Sequence, residues 1–405
     1  MSGIFVFTAN IHMKIKECCL EMKTLFKNGH VYITEARMFL SRDILVCDGY
    51  IEGVYSPDEA PAADETVDMS GKYLIPGLVD IHTHGRGGHD FNKIDDNAVN
   101  EMRRSYALAG TTTVMATLAS AEISELYHSA EVINRNRSAE NGLATLCGIH
   151  LEGRYLNPKR RGAHNPEYLA PLDAGELEEL AKAFLPTPLH ISAAFELDTD
   201  MSFLNKAKSL GATCSLAHSD ATYAESVNAV ANGVNSFTHT FNAMRPIHHR
   251  EPGNMIASLL CDDAYSEFIC DGEHSDPAMI KLAYRAKAHD KMILITDSLE
   301  AAGCPDGEYS IAGLPVYVKN GRAVNSEGAL AGSTLDLFTA IKNFMSFTGA
   351  TLEETIPMAT ANPARLIGID DVCGSIKTGC RADFITVDDT TTPVLGEVYV
   401  CGNKI

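Results

Sequence analysis

No Cys-x-x-Cys pair occurs in the 405 residues, although cysteine itself is present eleven times. That excludes a zinc-knuckle framework and argues against a disulfide scaffold; in a chain of this size it predicts reduced, buried thiols and a cytoplasmic protein. Long apolar runs are missing too. None approaches the roughly 20 residues that a membrane-spanning helix requires, so no membrane partner is expected. The leading Met1-Ser2-Gly3-Ile4-Phe5-Val6-Phe7 lacks the basic stretch that opens a secretory signal, and none is predicted. Positive charge is scarce: 33 Lys and Arg stand against 53 Asp and Glu, a formal net charge of -20. Such a chain repels nucleic acid and anionic membranes, and an anionic small molecule would need a local cationic pocket.

What is present has the layout of a barrel with a small companion domain. Residues 22–72 read as short strands broken by turns such as Asn28-Gly29 and Asp48-Gly49, and segments 382–387 and 397–400 have the same character. The two chain ends are expected to join into a small β-sandwich domain. Between them, apolar runs at 78–81, 112–116, 144–151, 189–194, 213–217, 236–240, 266–270 and 292–296 alternate with helical patterns at 95–109, 124–136, 174–184, 223–231 and 277–288. Eight strands with intervening helical or crossover segments predict an α/β fold, a (β/α)8 TIM-like barrel. The expected division is an N-terminal extension over 1–21, the small β domain over 22–75 and 373–405, and the barrel over 76–372.

Active sites of such barrels lie at the C-terminal ends of the strands. His82 and His84 close the first run, Glu152 follows the third, His218 the fifth, His239 the sixth and Asp297 the eighth. Strand side chains alternate with period two, so Asp80, His82 and His84 share one face. Each residue has a plain structural alternative: a hydrogen-bonded core histidine for His218, a solvated loop acid for Glu152, a helix cap for Asp297. Jointly, their placement at the correct strand ends points to one or two divalent cations held by imidazole and carboxylate. Asp297 is the candidate proton shuttle and Glu152 a ligand able to bridge two ions; no lysine ends the third or fourth strand to supply a carbamylated bridge.

The segment Pro76-Gly77-Leu78-Val79-Asp80-Ile81-His82-Thr83-His84-Gly85 resembles the amidohydrolase superfamily. Further segments narrow the resemblance: His150-Leu151-Glu152-Gly153, Arg161-Gly162-Ala163-His164-Asn165, Ala217-His218-Ser219-Asp220, Thr238-His239-Thr240-Phe241-Asn242-Ala243-Met244, Asp271-Gly272-Glu273-His274 and Leu330-Ala331-Gly332-Ser333. Together they are similar to the N-acetylglucosamine-6-phosphate deacetylases, from about residue 22 to the end.

The resemblance implies that Glu152, His218 and His239 hold one metal and that His82 and His84 permit a second, zinc first, with iron or manganese also suited. It implies Asp297 as catalytic acid/base and His164 as the group polarising the acetamido carbonyl. Ala163, His164, Asn242, Ala243, Arg250, His274, Ala331 and Gly332 match substrate contacts, with Arg250 reaching a neighbouring site across a homodimer. The implied substrate is a sugar phosphate, N-acetyl-D-glucosamine 6-phosphate, deacetylated in amino-sugar catabolism; the alternatives are N-acetylgalactosamine 6-phosphate or, from another class, a non-catalytic scaffold. Loss of ligands would mark a scaffold, and all six candidates are present. Three segments depart from the family pattern: Leu151-Glu152-Gly153-Arg154 has Arg where proline is usual, Asp271-Gly272-Glu273-His274-Ser275-Asp276 lacks the more usual apolar residue before and second histidine after that segment, and Thr296-Asp297-Ser298-Leu299 replaces Asp-Ala-Met.

Overall fold

The computed structural model describes residues 22–140 and 142–405; the expected extension over 1–21 lies outside the described residues. Eight parallel strands form one sheet in chain order: β1 (Leu78–Thr83), β2 (Thr111–Leu118), β3 (Thr145–Glu152), β4 (Leu189–Ala193), β5 (Thr213–Leu216), β6 (Ser236–Phe237), β7 (Tyr265–Ile269) and β8 (Met292–Ile295). Each β-branched or aliphatic run is buried on both faces, as a parallel strand covered by helices must be. The (β/α)8 expectation therefore holds.

The covering helices begin where a side chain can satisfy the first free backbone N–H groups. Asp95 accepts from Asn97 and Ala98 ahead of Asp96–Leu108, Asp173 from Gly175 and Glu176 ahead of Ala174–Phe184, and Thr222 forms a reciprocal box with Glu225 ahead of Tyr223–Asn232. Helices Ser202–Ser209, Gly253–Leu260 and Leu337–Thr348 were not among the periodic segments read from the sequence.

Among the described residues, β1 and β8 share no strand ladder. The seam is closed at its mouth instead: Asp297 N–H donates to His82 O at 2.9 Å and His84 N–H to Ser298 O at 2.8 Å, while Thr296 Oγ1 donates to Asp80 Oδ2 at 2.6 Å. Asp80 thus serves closure and is not among the donors gathered above it.

Strands from both chain ends build a second sheet around its own apolar core, in which Phe26 meets the ring of Phe384 edge-on at 4.9 Å. The buried Arg381–Asp383 pair ties this sheet to the barrel, since Arg381 Nη2 donates to Thr113 Oγ1 of β2 at 2.6 Å. A three-stranded antiparallel sheet, Gly307–Ile311, Leu314–Lys319 and Arg322–Asn325, follows β8 and was not anticipated. Its two turns, Ala312-Gly313 and Asn320-Gly321, have positive φ at both residues, the hairpin geometry that matches strand twist.

Candidate metal centre

Three of the strand-end residues occupy the left-handed region: His218 at φ 44°, His239 at φ 29° and Asp297 at φ 48°. Side-chain-bearing residues adopt it at a cost of about 1–3 kcal/mol each, and such strain gathers at functional sites. Here the turn swings each side chain over the barrel mouth. Gly153, next to Glu152, has the complementary role: a Cβ there would lie 2.3 Å from Ser120 N, so only glycine lets the end of β3 approach that loop.

The donors fall into two groups, His82 with His84 and Asp297, and Glu152 with His218 and His239, all buried. Glu152 faces both. Its Oε2 lies 3.0 Å from His84 Nε2 and 3.4 Å from His82 Nε2, whereas Oε1 lies 3.1 Å from His239 Nε2 and 3.4 Å from His218 Nε2. His218 Nε2 and His239 Nε2 are 3.0 Å apart, and His218 Nδ1 donates to Arg160 O at 2.8 Å, which leaves the His218 Nε2 lone pair facing the cleft. His82 Nε2 is buried without a hydrogen-bond partner. One orphaned nitrogen converging with further ring nitrogens and carboxylate oxygens in this way fits a borderline-soft divalent cation.

The electrostatics follow from the same packing. Burial opposes charge on Asp297, but His82 and His84 outweigh it and hold the carboxyl down at about 2. Burial likewise opposes charge on His84, and Asp297 and Glu152 raise it to about 9. His164 is different: burial and then His218 push it down to about 3, so it is neutral. Ser120 Oγ accepts from Arg154 N–H at 3.0 Å and lies 3.0 Å from His164 Nδ1, while His164 Nε2 lies 3.8 Å from Glu152 Oε2.

The cleft, about 170 Å³, is lined by His84, Glu152, Ala163, His164, His218, His239, Asn242, Ala243, His274, Asp297 and Gly332 among others. Most of the expected site residues therefore meet. Two do not: Ala331 is packed in the apolar cluster with Leu299 and Ile311 and gives its N–H to Ala323 O, and Arg250 is exposed outside the cleft with Nη1 2.8 Å from His249 Nε2. No Arg or Lys lines the cleft among the described residues. Arg154, whose charge stands beside Glu152 in sequence, turns away and grips Glu176 with Nε at 3.0 Å and Nη2 at 3.1 Å. The sequence reading missed Ser120, Ile311 of the added sheet, and Glu267, a fully buried acid in β7 whose signal is a charge inside an apolar strand.

Residues 73–401 match the amidohydrolase family. This chain belongs to that family. The amidohydrolase is 33% identical to the N-acetylglucosamine-6-phosphate deacetylase of Vibrio furnissii across 84% of this chain and 85% of that one. It is 31% identical to the N-acetylgalactosamine-6-phosphate deacetylase of Escherichia coli O157:H7, across 88% of this chain and 93% of that one. Among solved structures, the Thermotoga maritima N-acetylglucosamine-6-phosphate deacetylase superposes with a TM-score of 0.82 at 31% identity, covering 94% of this chain and 99% of its own. A variant of the Mycobacterium smegmatis enzyme, in complex with N-acetyl-D-glucosamine-6-phosphate, superposes with a TM-score of 0.85 at 26% identity, covering 95% and 99%. Family and donor groups together support a divalent metal in this amidohydrolase.

Proposed function

We propose that this amidohydrolase deacetylates N-acetyl-D-glucosamine 6-phosphate to D-glucosamine 6-phosphate and acetate in amino-sugar catabolism. The observation that carries the reading is the position of Glu152 between two donor groups, with Asp297 in one group and His164 beside the other. Glu152, His218 and His239 would hold one cation and His82 and His84 would contribute to a second, zinc being the first choice. A divalent ion bound there supplies Lewis acidity and makes water a better nucleophile at neutral pH.

The chain's own groups do the rest. Asp297, ionised at neutral pH, takes the proton of the attacking water and returns it to the leaving amine. With the Ser120 hydroxyl directed at its Nδ1, neutral His164 presents Nε2–H to the acetamido oxygen, where negative charge develops. Ala163, Asn242, Ala243, His274 and Gly332 border the sugar, and Ile311 with Leu330 supply the apolar wall. Because the cleft lining contains no Arg or Lys, we assign the phosphate to His274 and to Arg250 of a second subunit in a homodimer. The cytoplasm, and the division into a β domain over 22–75 and 373–405 around a barrel over 76–372, complete the proposal.

The second reading, N-acetylgalactosamine 6-phosphate as substrate, is favoured by the Escherichia coli relative. Acetate release from phosphorylated and free N-acyl hexosamines, measured alongside metal content by mass spectrometry, tests both. Preference for the galacto epimer would replace the substrate named here; absence of turnover with every N-acyl sugar in a metal-loaded preparation would sink the function.

A further inference from the structure

We propose that Glu267 is a positioning residue of the metal centre, holding His82 in the tautomer and orientation in which its Nε2 faces the cation. The inference rests on the assignment of His82 as a ligand. Glu267 lies in the middle of β7 with no exposed surface, between Ser266 and Phe268. Its Oε2 is 3.1 Å from His82 Nδ1. A carboxylate has no proton to give, so the imidazole donates from Nδ1, and a neutral ring then carries its lone pair on Nε2. That is the nitrogen which has no hydrogen-bond partner and points between Glu152 Oε2 at 3.4 Å and Asp297 Oδ1 at 3.5 Å.

The carboxylate is itself fixed. His239 N–H reaches the same Oε2 at 3.3 Å, and the Glu267 backbone O accepts Thr240 N–H at 2.7 Å, so the acid is tied to the strand end that carries a donor of the other group. The neighbouring ring of His150 does not compete for His82, because its nitrogens are engaged with Thr117 Oγ1 at 3.2 Å and Ser192 Oγ at 2.8 Å. A filler role alone explains the acid poorly: a buried carboxylate is costly unless charge and hydrogen bonds compensate it, and its Oε1 has no hydrogen-bond partner, with His190 Nε2 at 3.8 Å. Carboxylate–histidine–metal arrangements use this same geometry, and their loss typically weakens metal binding by about 10–100-fold.

The test is cobalt(II) titration of the chelator-stripped full chain, read as stoichiometry, affinity and visible absorption for wild type, Glu267→Gln, His82→Ala and the double variant. The ion bound on the His82 side is the one weakened by His82→Ala. Glu267→Gln should weaken that same ion by about 10–100-fold, and should cause no further loss once His82 is absent, as two residues acting through one contact must. Unchanged cobalt affinity in Glu267→Gln, or an equal loss with and without His82, would overturn the inference while leaving the metal centre standing. Failure of His82→Ala to affect any ion would instead remove His82 as a ligand, and the inference with it. Should Glu267→Gln not fold, Glu267→Asp, which keeps the charge but withdraws it from Nδ1, carries the same expectations.

Discussion

Asp297 Oδ1 lies 3.2 Å from His84 Nε2, held there by a backbone in the left-handed region. A group that belongs to the first donor set and is held ionised by its neighbours is placed to move a proton. Asp297→Asn should retain the fold and lower kcat by about 10²–10⁴-fold, the usual contribution of a positioned acid or base. Turnover near the wild-type rate, with metal content confirmed by mass spectrometry, would remove Asp297 from proton transfer.

Arg250 stands outside its own cleft, so its proposed phosphate contact needs a second subunit. Arg250→Ala should raise KM for the 6-phosphate and cost about 1.5–3 kcal/mol in kcat/KM, the worth of a charged hydrogen bond. Mixing it with Asp297→Asn is the sharper measurement. If the arginine acts in trans, subunit exchange creates one site with both groups intact, and activity partly recovers. No recovery would place Arg250 within its own subunit's site or out of binding altogether.

His274 borders the cleft with Nδ1 2.6 Å from Asp271 Oδ2, while Asp271 Oδ1 accepts the N–H groups of Glu273 and His274 at 2.9 Å. Burial opposes both charges, yet each outweighs it for the other, raising His274 and lowering Asp271. The imidazolium's stability contribution is therefore complete below about pH 6.5 and lost as pH rises through its elevated pKa; that of Asp271 is present above about pH 3.9 and lost as pH falls through its depressed one. Asp271→Asn should narrow this window: the wild-type advantage in Tm is largest between about pH 4 and 6.5, and the alkaline limb of kcat/KM moves to lower pH in the variant. An alkaline limb at the wild-type position would show that the pair does not set it.

Arg154 has φ 60°, donates its N–H to Ser120 Oγ, and pairs through two nitrogens with Glu176. The proline usual in the resembling family would fit neither this φ nor the hydrogen bond. Arg154→Pro should therefore destabilise by roughly 2–4 kcal/mol in chemical denaturation, and Arg154→Gly by less, because glycine accepts the conformation and keeps the N–H. A proline variant as stable as wild type would show that the loop readily takes another path.

The barrel and five of its helices are legible in the sequence because their signals are local: apolar runs of strand length, polar caps, and 3.6-residue periodicity. The donors are legible for the same reason, each standing at the end of such a run. Helix Gly253–Leu260 is hidden because Met255, Ile256, Ala257, Leu259 and Leu260 leave little polar face to mark a period. Glu267 is hidden because its partner His82 is 185 positions away, and nothing near it in the chain announces the pairing. The added sheet after β8 does carry a local signal, Asn320-Gly321, but it interrupts the strand–helix alternation on which the reading relied. The direction of the Arg154 side chain follows its pairing with Glu176, 22 positions away, which residue identity alone does not encode.

The seam between β1 and β8 has a consequence for synthesis. Thr296 and Asp80, which close it, are 216 positions apart, and five of the six donors precede β8 in the chain. A ribosome that has released the chain only through β7 has already delivered His82, His84, Glu152, His218 and His239, but neither Asp297 nor the bonds that draw β1 into the ring. Asp297, the group proposed to move the proton, is therefore delivered together with the bonds that close the barrel, after the other five donors.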